Sequence, residues 1–223
     1  MKQTVKVAID GPSGAGKSTI ARAAAEQLEF VYVDTGAMYR TVALNALRKG
    51  IDLSDKEQIT DSLNGLEVSL GFVNGAQRVY LNSEDVSEQI RTPEVSMAAS
   101  KVSAVQSVRD FLFQLQRDIA DKNNCLMDGR DIGTVVLPDA QVKIFLTASA
   151  EKRAERRFAE LKEKGMDVNF EDVLKDIIQR DYNDSHRDIA PLKPTEQSIV
   201  IDTTSLDLEQ SIEAVLNTVK ENI

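Results

Sequence analysis

One segment constrains the fold more than any other: Gly11–Ser18, GPSGAGKS, matches the pattern G-x-x-x-x-G-K-[ST]. It follows the β-branched run Thr4–Ile9 and opens an Ala-rich stretch with helical character, Gly16–Leu28. A strand, a glycine-rich turn and a helix in this order direct backbone N–H groups and the positive end of the helix dipole at phosphate oxygens. Because spacing and context both fit, a functionless glycine-rich turn is the weaker interpretation, and we expect a loop that binds a nucleoside triphosphate.

Two side chains of this loop have expected roles. Lys17 should reach the β- and γ-phosphates, and the Ser18 hydroxyl can bind Mg²⁺. The sequence contains neither the D-x-x-G switch nor the N-K-x-D base-recognition motif of signalling GTPases. We therefore expect transfer of a phosphoryl group to a small acceptor.

Segments with strand and helix character alternate along the chain. Further strands are predicted at Phe30–Val33, Asn124–Met127, Val142–Leu146 and Ser198–Ile201. Further helices are predicted at Gly36–Lys49, Val95–Lys122, Ala150–Lys164, Phe170–Asp188 and Leu206–Lys220. This alternation indicates an α/β fold with a parallel sheet and helices on both faces, and ligands are expected at the carboxyl edge of the strands.

One region departs from this alternation. Leu66–Phe72 and Gln77–Leu81 alternate apolar and polar residues, and Asn74-Gly75 lies between them. Asn-Gly between two such runs is a strong hairpin signal. We predict a small antiparallel insert at about residues 62–92.

The acidic composition limits the possible partners. The 223 residues include 27 basic and 36 acidic side chains, for a net charge of −9. This balance argues against nonspecific binding to nucleic acid or to anionic membranes. No signal peptide and no apolar run of about 18 residues is evident, so we expect a cytoplasmic protein. A monomer is the default, since no coiled-coil or repeat pattern is present.

Cysteine and histidine each occur once. Cys125 lies in an apolar run and is expected to be buried, and a single cysteine excludes an intramolecular disulfide. His186 lies among charged residues and is expected to be exposed rather than a general base. One residue of each type is too few for a typical zinc site.

Several arginines lie where a phosphate site would need them. Arg40 follows the second strand, Arg130 follows a buried strand, and Arg187 ends a charged helix. The guanidinium group can bind phosphate through two hydrogen bonds, and phosphoryl transfer needs positive charge around the moving group. Arg153, Arg156 and Arg157 share one helix face by their spacing, and on the residues alone a solvated surface is the favoured interpretation for these three.

Asp34 and Asp128 each directly follow apolar strand residues. At that edge of a sheet a carboxylate can hold Mg²⁺ directly or through water. It can equally cap a helix or pair with a nearby arginine. The sequence leaves both interpretations open for both residues.

Four segments together resemble the bacterial cytidylate kinases, which are P-loop nucleoside monophosphate (NMP) kinases: Ile9–Ser18, Asp34–Arg40, Asp128–Val136 and Arg180–Arg187. Asp128–Val136, DGRDIGTVV, is far more specific than the phosphate loop, and the resemblance covers essentially the whole chain. It implies Mg²⁺-dependent transfer of the γ-phosphoryl group of ATP to CMP or dCMP, in pyrimidine nucleotide metabolism. It also implies one three-layer P-loop domain, 1–223, with a five-stranded parallel sheet, an NMP-binding insert at 62–92 and a helical lid at 150–165.

The resemblance further implies roles for individual residues. The ATP-binding positions are Gly11, Pro12, Ser13, Gly14, Ala15, Gly16, Lys17, Ser18, Thr19 and Arg156. The CMP-binding positions are Thr35 at the nucleotide, Ser100, Arg109 and Asp131 at cytosine, Arg180 and Asp184 at the sugar, and Arg40, Arg130 and Arg187 at the acceptor phosphate. The catalytic set is Lys17, Arg130, Arg153, Arg157 and Arg187, and the candidate Mg²⁺ ligands are Ser18, Asp34 and Asp128. Arg153, Arg156 and Arg157 would belong to the lid.

The implied base recognition is chemically consistent. An ionised Asp131 can accept a hydrogen bond from the amino group of cytosine, while Arg109 and Ser100 donate to its acceptors. Uracil would present a carbonyl to the carboxylate, and each buried mispaired group costs on the order of 1–3 kcal/mol. CMP should therefore be preferred over UMP. No general base is needed, because the acceptor phosphate is already an anion.

Two alternatives remain on the residues alone. One is a kinase with another small acceptor, such as UMP or shikimate. The other is a nucleotide-gated binding module, which would need a switch element that the sequence does not reveal.

Overall fold

The structure is a computed structural model that describes residues 4–73 and 76–223. The strands, in chain order, are β1 (Lys6–Asp10), β2 (Val31–Asp34), β3 (Val68–Val73), β4 (Ala76–Leu81), β5 (Glu84–Asp85), β6 (Cys125–Gly129), β7 (Val142–Thr147) and β8 (Ile199–Asp202). The helices are α1 (Lys17–Gln27), α2 (Thr35–Arg48), α3 (Lys56–Asp61), α4 (Pro93–Val102), α5 (Gln106–Lys122), α6 (Ala150–Glu163), α7 (Phe170–His186) and α8 (Leu208–Glu221). A 3₁₀ turn covers Gln89–Arg91, and one π-helical turn covers Ile132–Val136.

Five parallel strands form the main sheet, in the order β2-β6-β1-β7-β8. All five residues of β1 and of β6 are buried, as expected for parallel strands covered on both faces. The register places Asp34 beside Asp128 and Asp10 beside Gly129. The predicted α/β fold is thus confirmed, and three strands end side by side with a carboxylate at or next to their carboxyl ends.

Alternate residues of each strand face two separate cores. Val7, Ile9 and Leu126 pack in one cluster with residues of α1 and α8. Ala8 and Met127 pack in the other, with residues of α2, α4 and α5. The helices therefore form the two outer layers of a three-layer domain. No helix in the described ranges has the length and apolar character needed to cross a bilayer.

Helices α6 and α7 pack on one another through a small apolar cluster of their own. Ala154, Leu161, Val173 and Ile177 are its buried members. The Phe158–Phe170 ring pair adds an edge-to-face contact. This pair of helices borders the carboxyl edge of the main sheet, where the predicted lid would lie.

The predicted antiparallel hairpin is confirmed. Strand β3 pairs with β4 from Val68 opposite Leu81 to Val73 opposite Ala76, while the predicted Asn74-Gly75 turn lies outside the described residues. The short strand β5 adds a third strand that the sequence did not indicate. Gln77 of β4 connects the insert to the main sheet: its side chain accepts from Asp34 N at 2.8 Å and donates to Asp34 O at 3.2 Å.

The single long helix predicted over Val95–Lys122 is wrong. Helix α4 ends at Val102, Val105 has an extended backbone, and α5 begins at Gln106. The Ser103 hydroxyl donates to Ser100 O at 2.9 Å, a local bond of the kind that competes with helix continuation. Serine and valine also have lower helix propensity than alanine or leucine. The short helix α3 and the Gln89–Arg91 turn were not predicted either.

The start of the phosphate loop allows a test of this packing. Gly11 has φ +154°, and an added Cβ would lie 1.9 Å from the backbone oxygen of Leu146. Gly50 also has a positive φ, +65°, but an added Cβ meets nothing within 4 Å. We predict that Gly11→Ala lowers the free energy of unfolding by about 3 kcal/mol or more, and Gly50→Ala by about 1 kcal/mol. Urea unfolding followed by circular dichroism measures both, and equal losses would contradict the predicted clash.

Candidate active site at the carboxyl edge of the sheet

A cavity of about 1600 Å³ opens at the carboxyl edge of the main sheet. A pocket for one small ligand usually has roughly 300–1,000 Å³, so this cavity has room for two nucleotides. The predicted site residues that line it are Ser13, Gly14, Gly16, Lys17, Ser18, Thr19, Asp34, Thr35, Arg40, Ser100, Arg109, Asp128, Arg130, Asp131, Arg156, Arg157, Arg180, Asp184 and Arg187. Four others, all within the described ranges, lie outside the lining: Gly11, Pro12, Ala15 and Arg153.

Lys17 is buried at the first residue of α1. Its ammonium group donates to Pro12 O at 2.7 Å, across the phosphate loop. Burial and the nearby positive charge of Arg130 lower the pKa of Lys17 to about 7. A polyanion in the loop would favour the charged form of this lysine, because opposite charges at short range raise the pKa of an amine.

Asp128 lies next to the first turn of α1. Ser18 Oγ donates to one carboxylate oxygen at 3.1 Å, and the Tyr32 hydroxyl donates to the other at 3.0 Å. Burial and the neighbouring charge of Asp34 raise the pKa of Asp128 to about 6. The carboxylate of Asp128 thus has hydroxyl groups but no cation as hydrogen-bond partners. A carboxylate and a neighbouring hydroxyl are oxygen ligands that suit Mg²⁺.

The described residues contain no group of three or more acidic, histidine or cysteine side chains that could hold a metal ion. Mg²⁺ is commonly bound by one or two protein ligands together with substrate phosphates and water. Ser18 and Asp128 fit that pattern.

Asp34 caps a helix and pairs with an arginine, which is one of the two roles that the sequence left open. One carboxylate oxygen accepts from Ala37 N at 3.0 Å and caps α2, and the other accepts from Arg40 at 2.8 Å. Burial acts to raise the pKa of Asp34, but Arg40 and the Ala37 amide outweigh it, and the pKa is lowered. With both oxygens engaged, Asp128 is the better carboxylate candidate for Mg²⁺.

One buried hydrogen-bond donor of the Arg40 guanidinium is unpaired among the described residues. This donor is the Nε group. A buried unpaired donor is costly, so one at the wall of a cavity indicates a place for an acceptor. An anionic oxygen of a ligand would supply it.

Arg109 and Asp131 form a nearly fully buried ion pair. Arg187 lies 3.5 Å from the other oxygen of Asp131, and the Arg109 guanidinium lies over the Tyr39 ring. Burial raises the pKa of Asp131, although the three nearby arginines oppose it. This group can recognise a planar ligand that carries both donors and acceptors.

The break between α4 and α5 shapes the same part of the cavity. Ser100 lies on α4 and Arg109 on α5, so the two residues do not share the single helix that was predicted over Val95–Lys122. Arg109 also donates to Ser103 O at 3.1 Å, at the break itself. The break therefore fixes the guanidinium at the cavity wall.

A second cationic group lies between β6 and α7. Arg130 donates from Nε to Asp184 at 2.8 Å. Arg180 forms no ion pair within the part of the chain that the structure describes, and burial together with Arg130 lowers its pKa. Burial also lowers the pKa of Arg187. Cations whose charge is only partly compensated make this wall suited to a phosphate.

The three arginines of α6 differ in environment. Arg153 is buried and donates to Ser13 O, Ala148 O and both oxygens of Asp181, so the solvated-surface interpretation is wrong for it. Arg156 donates to Thr203, and Arg157 pairs with Glu160. Arg153 therefore joins α6 to the phosphate loop and to α7, whereas Arg156 and Arg157 line the cavity.

Thr35 is buried, and its hydroxyl donates to Asp128 O at 2.8 Å. His186 is exposed and stacks on Tyr182, which confirms the expectation for the single histidine. Cys125 is buried, also as expected, and burial raises the pKa of its thiol to about 12. Neither residue lines the cavity.

Sequence reasoning missed Asp10, Tyr39 and Asp181. Asp10 ends β1 and accepts hydrogen bonds from two backbone amides beyond β6. A signal for it was present, because Asp10 follows an apolar strand just as Asp34 and Asp128 do. Asp181 had no such signal, since its partner Arg153 is 28 residues away on another helix.

Comparisons with known proteins agree with this geometry. Residues 7–221 match the family model described as cytidylate kinase. The chain is 51% identical over 212 residues to the cytidylate kinase of Caldicellulosiruptor bescii, covering 95% of this chain and 94% of that one. It is 52% identical over 219 residues to the cytidylate kinase of Caldanaerobacter subterraneus subsp. tengcongensis, covering 98% and 96%.

One solved structure shows the same fold at low sequence identity. The crystal structure of an uncharacterized protein from Eubacterium ventriosum aligns with a TM-score of 0.51 at 12% identity, covering 98% of this chain and 99% of that one. The fold, the phosphate loop and the near-complete match of the sequence lead to one conclusion. The chain belongs to the cytidylate kinase family.

Proposed function

We propose that this chain transfers the γ-phosphoryl group of ATP to CMP or dCMP, giving ADP and CDP or dCDP. One observation carries the choice of acceptor: the buried Arg109–Asp131 pair lies in the same cavity as the phosphate loop. A carboxylate beside a guanidinium matches the amino donor and the ring acceptors of cytosine. Membership of the cytidylate kinase family supports the same acceptor.

The donor side is formed by the phosphate loop and α1. Backbone amides of Ser13–Gly16 and the ammonium group of Lys17 would bind the triphosphate. Ser18 and Asp128 would hold Mg²⁺, which when bound would neutralise charge on the β- and γ-phosphates. The remaining ATP contacts would come from Thr19 and, from the lid, Arg156.

The acceptor side is formed by arginines. Arg40, Arg130 and Arg187 would bind the CMP phosphate, and Arg180 with Asp184 the sugar. A phosphate oxygen of CMP attacks the γ-phosphorus of ATP as the bond to the β-phosphate oxygen breaks. Because that nucleophile is already an anion, the protein must align two polyanions and cancel their repulsion rather than remove a proton.

Helix α6, which covers most of the lid predicted at 150–165, would act as the lid, with Arg157 added to the charge around the moving group. Arg153 connects this lid to the phosphate loop through Ser13 O. Closure would exclude water and so prevent hydrolysis of ATP. We also propose that the protein is a cytoplasmic monomer that acts in pyrimidine nucleotide metabolism. Sedimentation measures the oligomeric state, and cell fractionation measures the location.

An acceptor panel tests the substrate. In a coupled assay for ADP, CMP and dCMP should be phosphorylated with a kcat/KM at least about tenfold above that of UMP, because one mispaired charged group costs about 1.5 kcal/mol or more. AMP and shikimate should be poorer still. Equal or faster turnover of AMP would reject the proposal. Stable ATP with every acceptor would favour a binding module instead.

Asp131→Asn tests base recognition. The amide keeps the shape but removes the charge that faces Arg109 and Arg187, so the ratio of kcat/KM for CMP over UMP should fall roughly 10- to 100-fold. The Kd of ATP should stay within about twofold, since Asp131 is placed on the acceptor side. Asp139→Asn is the control, because Asp139 is a more exposed carboxylate that also forms ion pairs with two basic residues, Lys6 and Arg117, and lies outside the cavity lining. An unchanged ratio in Asp131→Asn would show that another group recognises the base.

The lowered pKa of Lys17 predicts that ATP binding is accompanied by the uptake of a proton. This pKa is about 7 in the ligand-free protein, and bound phosphates raise it, so at pH 8 ATP binding should take up about one proton. Below pH 7 the lysine is already charged and this uptake disappears. Calorimetry in buffers of different ionisation enthalpy measures it. Lys17→Arg keeps the charge without titrating and is the control; equal uptake by both proteins would contradict the prediction.

A further inference from the structure

Asp10 is a buried carboxylate that the proposed mechanism does not use. It is the last residue of β1, it is 5% exposed, and it directly precedes the phosphate loop. Its neighbour in the register of the sheet is Gly129 of β6. A charged group so deep in the domain needs hydrogen-bond partners to offset the loss of water.

Those partners are two consecutive backbone amides. Ile132 N donates to one carboxylate oxygen of Asp10 at 2.7 Å, and Gly133 N donates to the other at 2.8 Å. Both amides belong to the π-helical turn Ile132–Val136, which begins directly after Asp131. The first amides of a helical turn have no partner within it, so Asp10 caps this turn from another strand.

The capped turn carries the base-recognition carboxylate. Asp131 O accepts from Val135 N at 2.9 Å and from Val136 N at 3.2 Å, so Asp131 is itself bonded into the turn. The Asp131 backbone, at φ −145° and ψ 27°, lies outside the regular helix and strand regions. Its conformation therefore depends on the contacts on either side, which are the strand β6 before it and the turn held by Asp10 after it.

The position of Asp10 distinguishes it from an ordinary cap. The next residue, Gly11, begins the loop that would bind ATP, and the amides that Asp10 accepts follow the carboxylate that would recognise CMP. The side chain of the residue that precedes the donor loop thus contacts the acceptor site across 122 positions of sequence.

We propose that Asp10 is a positioning residue for nucleobase selectivity: by accepting from Ile132 N and Gly133 N it fixes the turn that follows Asp131, and so holds the Asp131 carboxylate in position for the nucleobase. The inference rests on the proposed phosphorylation of CMP. It assigns Asp10 no contact with either substrate.

Asp10→Asn tests the proposal with the smallest possible change. Asparagine keeps one accepting oxygen but places an NH₂ group against the second amide, so one bond is lost and two donors face each other. We expect the KM of CMP to rise about tenfold or more and the ratio of kcat/KM for CMP over UMP to fall about tenfold, while the Kd of ATP stays within about twofold. A role in stability alone would not change this ratio, because inactive protein lowers both rates equally.

Asp55→Asn is the matched control. Asp55 caps α3 by accepting from Glu57 N and Gln58 N, and it lies outside the cavity lining. The same substitution on the same kind of bond should leave the KM of CMP and the selectivity unchanged. If Asp10→Asn keeps both within about twofold of the unsubstituted enzyme, the proposal is overturned. If the unsubstituted enzyme does not phosphorylate CMP, the proposed function fails instead.

If Asp10→Asn does not fold, hydrogen exchange in the unsubstituted protein tests the proposed role of Asp10. In the unsubstituted protein, the Ile132 and Gly133 amides should exchange as slowly as the amides of β1, because their acceptor is part of the main sheet. Exchange at the rate of an exposed turn would refute the positioning role. Nuclear magnetic resonance of the full chain resolves these amides individually.

Discussion

The structure depends on pairing partly or fully buried arginines with carboxylates at the end of a parallel sheet. Arg40 pairs with Asp34, Arg130 with Asp184, and Arg109 with Asp131, each at the wall of one cavity. Arginines brought this close repel one another in a poorly solvated site, so the carboxylates are needed before any substrate is present. A chain with a net charge of −9 can in this way present a locally cationic cavity. Anionic substrates would complete that compensation.

Much of the fold and part of the site could be predicted, because the relevant physics is local. The phosphate loop is formed by consecutive backbone groups, and strand–helix alternation specifies the layers without knowledge of distant contacts. The break at Val105 could not be predicted in this way, since it depends on small differences in helix propensity and on a hydroxyl bond. The Arg109–Asp131 pair spans 22 residues, and the family resemblance implied that both residues contact the base but did not predict that they pair with each other.

Asp34 and Asp128 show why one sequence pattern has two outcomes. Both follow apolar strand residues, and they lie side by side in the register. After Asp34 the chain enters α2 at once, so its carboxylate caps that helix and pairs with Arg40. After Asp128 the strand continues to Gly129, no helix follows directly, and the side chain is left to two hydroxyl groups. The residue after the aspartate, not the aspartate itself, decides its role.

The hydrogen-bond partners of Asp10 can be compared with those of Asp34 and Asp128 in the same way. Asp34 and Asp128 are partners in the register of neighbouring strands, which lie about 4.8 Å apart, so these two carboxylates repel one another. Asp10 is stabilised by two amides, and Asp34 by an amide and an arginine, whereas Asp128 has only neutral hydroxyl donors. Burial raises the pKa of both Asp10 and Asp128 to about 6, and at Asp128 the neighbouring charge of Asp34 adds to this rise while Lys17 acts against it. A cation beside Asp128 would offset both the burial of this carboxylate and its repulsion by Asp34, and this electrostatic argument supports the proposed Mg²⁺ site independently of any count of ligands.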